Sequence, residues 1–158
     1  MIEKILLLGD PKLYEISLPV DESEVELLRP DTELMHKLIL AIREKYGFGR
    51  GIAAPQIGVM KRLVCLDLDK RYTLFNPVLS NLSKDMFDLW DDCMSFPNLH
   101  VKVSRHRSCT LTYRDENWEE QIWELDGDLS ELLQHEVDHL DGILATMRAV
   151  DKKAFKAV

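Results

Sequence analysis

Between residues 31 and 47, DTELMHKLILAIREKYG, the apolar residues Leu34, Leu38, Ala41 and Ile42 recur at helical spacing. Pro30 precedes this run and Gly47 ends it, so the pattern predicts a packing helix with His36 turned to solvent. From about 62 to 125 the period shortens. Four strand-like runs, RLVCLDL, YTLFNPVLS, SCTLTYRD and WEEQIWEL, are separated by turn residues that favour antiparallel pairing. Helical spacing returns near Asp128, where Leu129, Leu132, Leu133, Val137 and Leu140 supply more than one apolar face. This predicts a helix buried on most sides, opened by a capping box in which Glu131 reaches back toward Asp128. Helix, several strands, then helix implies an α+β fold with antiparallel sheets packed around a central helix. Residues 1–158 contain no internal repeat, low-complexity tract or linker, so a single domain is expected.

Composition narrows the partners. The chain carries 20 basic and 28 acidic residues, a formal charge of -8, which argues against DNA or an anionic membrane as a general partner. The opening MIEKILLLGDP has an apolar run only from Ile5 to Leu8, too short for a signal-peptide core, and nothing approaches a membrane span. A cytoplasmic protein, or one directed to an organelle, fits these features. Three cysteines do not suggest a disulfide framework. Cys65 and Cys109 lie within strand-like runs and read as core residues, whereas Cys93 sits in WDDCMSFPN, where a packed strand is not expected.

The central helix carries the chemistry. In QHEVDHLDG, residues 134–142, His135 and His139 stand four apart and therefore on one helical face, able to converge on a single ion. Glu136 follows the first histidine and is placed to hold a water at the same ion, the arrangement of metal-assisted hydrolases. Burying two imidazoles and a carboxylate without partners is costly, and one cation answers all three. A catalytic site of this kind has a third protein ligand and one open position. In thermolysin-like metallopeptidases that ligand follows the helix, which would point to Asp141 or Asp151. Cys93 is the stronger candidate, because a thiolate beside a turn suits a borderline divalent ion.

Three ordered blocks resemble the peptide deformylases, which remove the formyl group from the N-terminus of new proteins. Gly49 to Gln56, GRGIAAPQ, matches the family's GxGxAAPQ; Asp91 to Ser95, DDCMS, matches EGCLS in part; and Gln134 to His139 matches QHExDH in full. The opening GDPKLYEISLPV is similar to the family's N-terminal segment as well. The resemblance implies that Cys93, His135 and His139 hold the ion, Fe(II) in the cell with Zn(II), Ni(II) or Co(II) as substitutes. It also implies that Glu136 moves protons, that the Gln56 side chain and the Met94 backbone N–H stabilise the oxyanion, and that Gly49 and Gly51 let the backbone approach the substrate. The implied partners are a formylated peptide, or another small N-formyl or N-acyl substrate, and the ribosome.

The departures from the pattern cluster where the family meets its substrate. Arg50, Asp92, Glu131 and His100 replace apolar, glycine, apolar and arginine residues respectively, while Asp91 shortens a glutamate and keeps Arg105 as its expected partner. Arg50, Gly51, Asp91, Asp92, His100, Glu131 and Leu132 form the expected substrate-contacting set. Arg50 is expected either to extend into water or to pair with Glu131 or Asp92. The expected activity is metal-dependent removal of a formyl or similar small acyl group from an N-terminal amine, with a pocket altered by charge. Two rivals stand beside it: a non-catalytic binding protein in which Asp92 fills the open position, and an HExxH endopeptidase.

Overall fold

The computed structural model describes residues 1–158. Helix α1, Arg29–Tyr46, opens with Pro30 in its first turn and closes on Gly47, whose left-handed backbone (φ 78°) lets its N–H bond back to the Arg43 carbonyl at 2.9 Å. Its buried stripe is Thr32, Met35, His36, Leu38, Ile39 and Ile42, rotated from the one expected, and Leu34 and Ala41 are only half-buried. His36 is therefore not at the surface: it is 2% exposed and its Nε2 meets the Thr73 hydroxyl at 3.1 Å.

Five strands follow from both halves of the chain: β1 Gly51–Ala53, β2 Leu63–Asp67, β3 Arg71–Ser80, β6 Ser108–Arg114 and β7 Glu120–Asp126, in the order β1-β2-β3-β6-β7, antiparallel throughout. The four expected runs are four of these strands. β2 shows why its sequence is continuously apolar rather than alternating. Leu63 and Cys65 face the core shared with α1, while Val64 and Leu66 face a second core on the other side of the sheet. A bulge in β3 between Phe75 and Val78 turns Asn76 (φ 51°) outward to clasp Val20 through both its amide atoms at 2.8 and 2.9 Å.

Helix α2, Asp128–Leu140, fills the second core with Leu132, Leu133 and Leu140. Its other side meets a second sheet, β4 Met86–Asp91, β5 Leu99–His106 and β8 Phe155–Ala157, in the order β4-β5-β8. The layers thus run α1, five-stranded sheet, α2, three-stranded sheet. Gln134 fastens the helix to the second sheet, accepting from the His106 N–H at 2.9 Å and donating to the His106 carbonyl at 2.8 Å. The capping box does not form: Gly127 is the N-terminal cap without a side-chain bond, because Glu131 is engaged elsewhere. Cys65 and Cys109 are core residues.

Candidate metal centre and cleft

Three parts of the chain meet above α2. His135 and His139 project from one face of the helix, and Cys93 lies in the turn after β4, closed by the Phe96 N–H bonding the Cys93 carbonyl at 3.1 Å. Their ligand atoms all lie within 4.8 Å of one another, with His139 Nε2 3.2 Å from His135 Nε2 and 3.4 Å from Cys93 Sγ. A tetrahedral ion with ordinary bond lengths sets its ligands about 3.3 Å (N to N) and about 3.6 Å (N to S) apart. The three donors fit such an ion. Asp141 pairs with Arg62 instead, and neither it nor Asp92 belongs to the converging group.

Buried partners orient the first histidine. His135 Nδ1 donates to Asp91 at 2.8 Å, which leaves Nε2 with its lone pair toward Cys93 and His139. Arg105, 2% exposed, bonds Asp91 at 3.1 Å and Asp138 at 2.9 Å, and Asp138 is held in turn by Arg148. Burial alone would raise Asp91, but the charges of His135 and Arg105 and their hydrogen bonds outweigh it and hold the carboxyl at about 2. Burial disfavours a second proton on His135, yet the neighbouring Asp91 and Cys93 draw one and carry the metal-free imidazole well above its ordinary value, so that a bound ion would take the place of the Nε2 proton. The same negative field favours a divalent cation. His139 goes the other way, driven well below its usual value by burial and by His135.

Glu136 is 3% exposed, and burial lifts its carboxyl to about 7. Its Oε1 and the Nδ1 of His139 have no partner within the chain. Gly51 makes room for it: a Cβ there would lie 2.9 Å from Glu136 Oε2 and 2.8 Å from Leu66. Across the cleft, the Gln56 side chain is locked at both ends, accepting from the Ala53 N–H at 2.9 Å and donating to Ser95 Oγ at 3.1 Å and to Cys93 Sγ at 3.5 Å. The Met94 N–H makes no bond within the chain. The apolar Ile5–Leu8 run clamps this side, with the Leu6 N–H on the Gln56 carbonyl at 2.7 Å and the Leu8 N–H on the Ser95 carbonyl at 2.9 Å.

A narrow cleft opens over these groups, lined by Arg50, Gly51, Gln56, Asp91, Asp92, Cys93, Met94, Glu131, Leu132, His135 and Glu136, together with Phe48 and Gly49. Of the substrate-contacting set only His100 is outside the lining, on β5 opposite Lys156 of β8. Of the alternatives for Arg50, the pair with Glu131 is the one that forms: Nη2 meets Glu131 Oε1 at 2.5 Å while part of the side chain stays in solvent. Glu131 and Asp92 both rise above their ordinary values, each chiefly through burial. Ser95 and Phe48 escaped the sequence reading. Ser95 closes the second block, which is the signal that marks it, whereas nothing in the sequence marks Phe48.

The polypeptide deformylase profile matches residues 2–155. The chain belongs to the polypeptide deformylase family. The peptide deformylase of Leptospira biflexa serovar Patoc is 35% identical over 168 residues, covering 98% of this chain and 91% of that protein. Among solved deformylases, the Synechococcus elongatus protein in complex with actinonin superposes with a TM-score of 0.85 at 31% identity, over 94% of this chain and 79% of that one. The Thermotoga maritima deformylase superposes equally well, at 0.85 and 28% identity, over 93% and 97%. Deformylases are metal-dependent hydrolases, and their fold is the α+β arrangement expected from the order of elements.

Proposed function

We propose that this deformylase removes the formyl group from N-formyl peptides with Cys93, His135 and His139 holding a divalent ion, Fe(II) in the cell and Zn(II), Ni(II) or Co(II) as substitutes. The observation that carries this reading is the convergence of three buried donors beside a carboxylate whose inner oxygen is unpartnered. One thiolate and two imidazoles suit these borderline ions. When bound, such an ion supplies a Lewis acid and a water acidic enough to attack near neutral pH.

The side chains supply the rest. Glu136, lifted by burial to about 7, accepts the proton of the attacking water and passes it to the departing amine. Gln56 Nε2 and the Met94 N–H donate to the oxygen of the formyl carbon as charge builds on it. Gln56 is held by Ala53 and Ser95, so it has only to release its 3.5 Å contact with Cys93 Sγ to reach that oxygen. Asp91 keeps His135 in the tautomer that ligates. The rival in which Asp92 occupies the open position is not favoured, since Asp92 stands apart from the converging donors. Substrates of this kind come from the ribosome, so the compartment of protein synthesis is the expected location; no helix is long and apolar enough to cross a membrane.

The charged cleft further predicts weaker turnover of formyl-Met peptides than an apolar cleft would support. The test is to load the protein with Fe(II) or Ni(II) under low oxygen and measure amine release from formyl-Met-Ala-Ser, alongside metal content. Release that requires metal and disappears with the metal in Cys93→Ala is expected. Retention of metal by Cys93→Ala would overturn the ligand set.

A further inference from the structure

The cleft holds charges that the formyl transfer to water does not use. Asp91 is already answered by Arg105 at 3.1 Å. Glu131, only 5% exposed at its side chain, is answered by Arg50 Nη2 at 2.5 Å, and Arg50 Nη1 also reaches the Asp128 carbonyl at 3.4 Å. A carboxylate this buried is strongly disfavoured without a partner, which holds Arg50 over it. Asp92 is left over. It is half-buried, lines the cleft one residue before Cys93, and takes part in none of the chain's ion pairs or side-chain hydrogen bonds. The charges of His135, Arg50 and His100 act on it, but none of the three bonds it. Glu131 takes the bond of Arg50, and Asp92 is left in the cleft without a bonded cation.

Building on the deformylase reading, we propose that this cleft selects formylated peptides with a basic side chain in their first two residues, Asp92 binding that cation and the Arg50–Glu131 pair forming the fixed polar wall beside it. The position follows from reach. An extended peptide advances about 3.3–3.6 Å per residue, and Asp92 immediately precedes the ligand Cys93. A side chain that touches Asp92 therefore belongs to the first or second residue behind the formyl group. The fixed pair keeps Arg50 from swinging over to neutralise Asp92, since doing so would strand Glu131.

The experiment compares formyl-Met-Ala-Ser, formyl-Lys-Ala-Ser and formyl-Met-Lys-Ser as substrates of the metal-loaded chain. Affinities of the same three peptides without the formyl group are measured by calorimetry, a readout that needs no turnover. At least one lysine peptide should exceed the reference about tenfold in kcat/KM and in affinity, in keeping with a partly desolvated charge pair. Asp92→Asn should abolish that advantage and Asp92→Glu should keep it. Lysine peptides that bind no better than the reference, or an advantage that survives Asp92→Asn, overturn the cation site while leaving the deformylase reading intact. A lysine advantage in binding with no turnover of any peptide removes the deformylase reading and keeps the cation site.

Discussion

Two walls of one cleft handle charge in opposite ways. Behind the converging histidines and Cys93, Asp91, Arg105 and Asp138 form a buried chain in which every charge has its counterpart, and Arg105 is 2% exposed. At the mouth, Arg50 is 41% exposed, its partner Glu131 is 5% exposed, and Asp92 has no partner. The first arrangement fixes a shape. Low dielectric makes each misplacement expensive, so His135 is held in one orientation and one tautomer. The second leaves a carboxylate facing open space, and its counterpart must come from outside the chain. Closed networks position the chemistry, whereas unbalanced charge at the rim selects what reaches it.

The comparison can be broken at the centre first. Glu136→Gln keeps the shape and hydrogen-bonding reach of the side chain but removes its capacity to take a proton. Turnover should fall about 10²–10⁴-fold with metal content unchanged, measured by steady-state rates and elemental analysis; a loss of metal instead would make Glu136 part of the closed wall. Next comes Asp91→Ala, which leaves a buried guanidinium short of a partner. Stability should fall by about 3 kcal/mol in urea unfolding, the low end for a broken buried pair because Arg105 keeps Asp138, and metal affinity should drop about 10–100-fold.

Arg50→Leu sharpens the contrast from the other side. The pair is screened where Arg50 meets solvent, but its loss leaves the buried Glu131 without a partner, so stability should fall by about 1–2 kcal/mol, less than in Asp91→Ala, with the metal retained. A cost equal to that of Asp91→Ala would erase the distinction between the walls. The smallest effect concerns a buried histidine away from the cleft. His135 has a carboxylate beside it, but His36 has only the Thr73 hydroxyl, and burial, followed by the nearby Arg71, lowers its affinity for a proton. The unfolded chain then binds that proton more readily, so stability falls as pH drops below about 6.5. His36→Gln should flatten the pH dependence of unfolding in that range, and an unchanged slope would place the titration elsewhere.

Much of the architecture was legible because its signals are local. Four antiparallel strands, both long helices and the shared helical face of His135 and His139, the proposed ligand pair, follow from periodicity and turn residues alone. β4 and β5 did not. In β5 the inward positions after Leu99 are Val101, Val103 and Arg105, and the arginine breaks the apolar alternation. Its burial makes sense only with Asp91 and Asp138, carboxylates 14 and 33 residues away in the chain. Glu131 misled for the same reason. Its spacing from Asp128 fits a capping box, but a guanidinium 81 residues distant offers a stronger, charge-assisted bond.

His36 illustrates the limit from the packing side. The apolar residues of α1 define a stripe, yet the sheet covers the helix along a line one residue over, which buries an imidazole and leaves Leu34 half-exposed. Helical and strand period, caps at proline and glycine, and the chemistry of three ordered blocks are written in neighbouring residues, because they depend on backbone geometry and side-chain type. Which charges become neutral pairs, which stay unmatched, and where the thiolate meets the imidazoles were decided only when distant segments closed on one another. Electrostatic energy depends on separation and burial in space, and neither is a property of position along a chain.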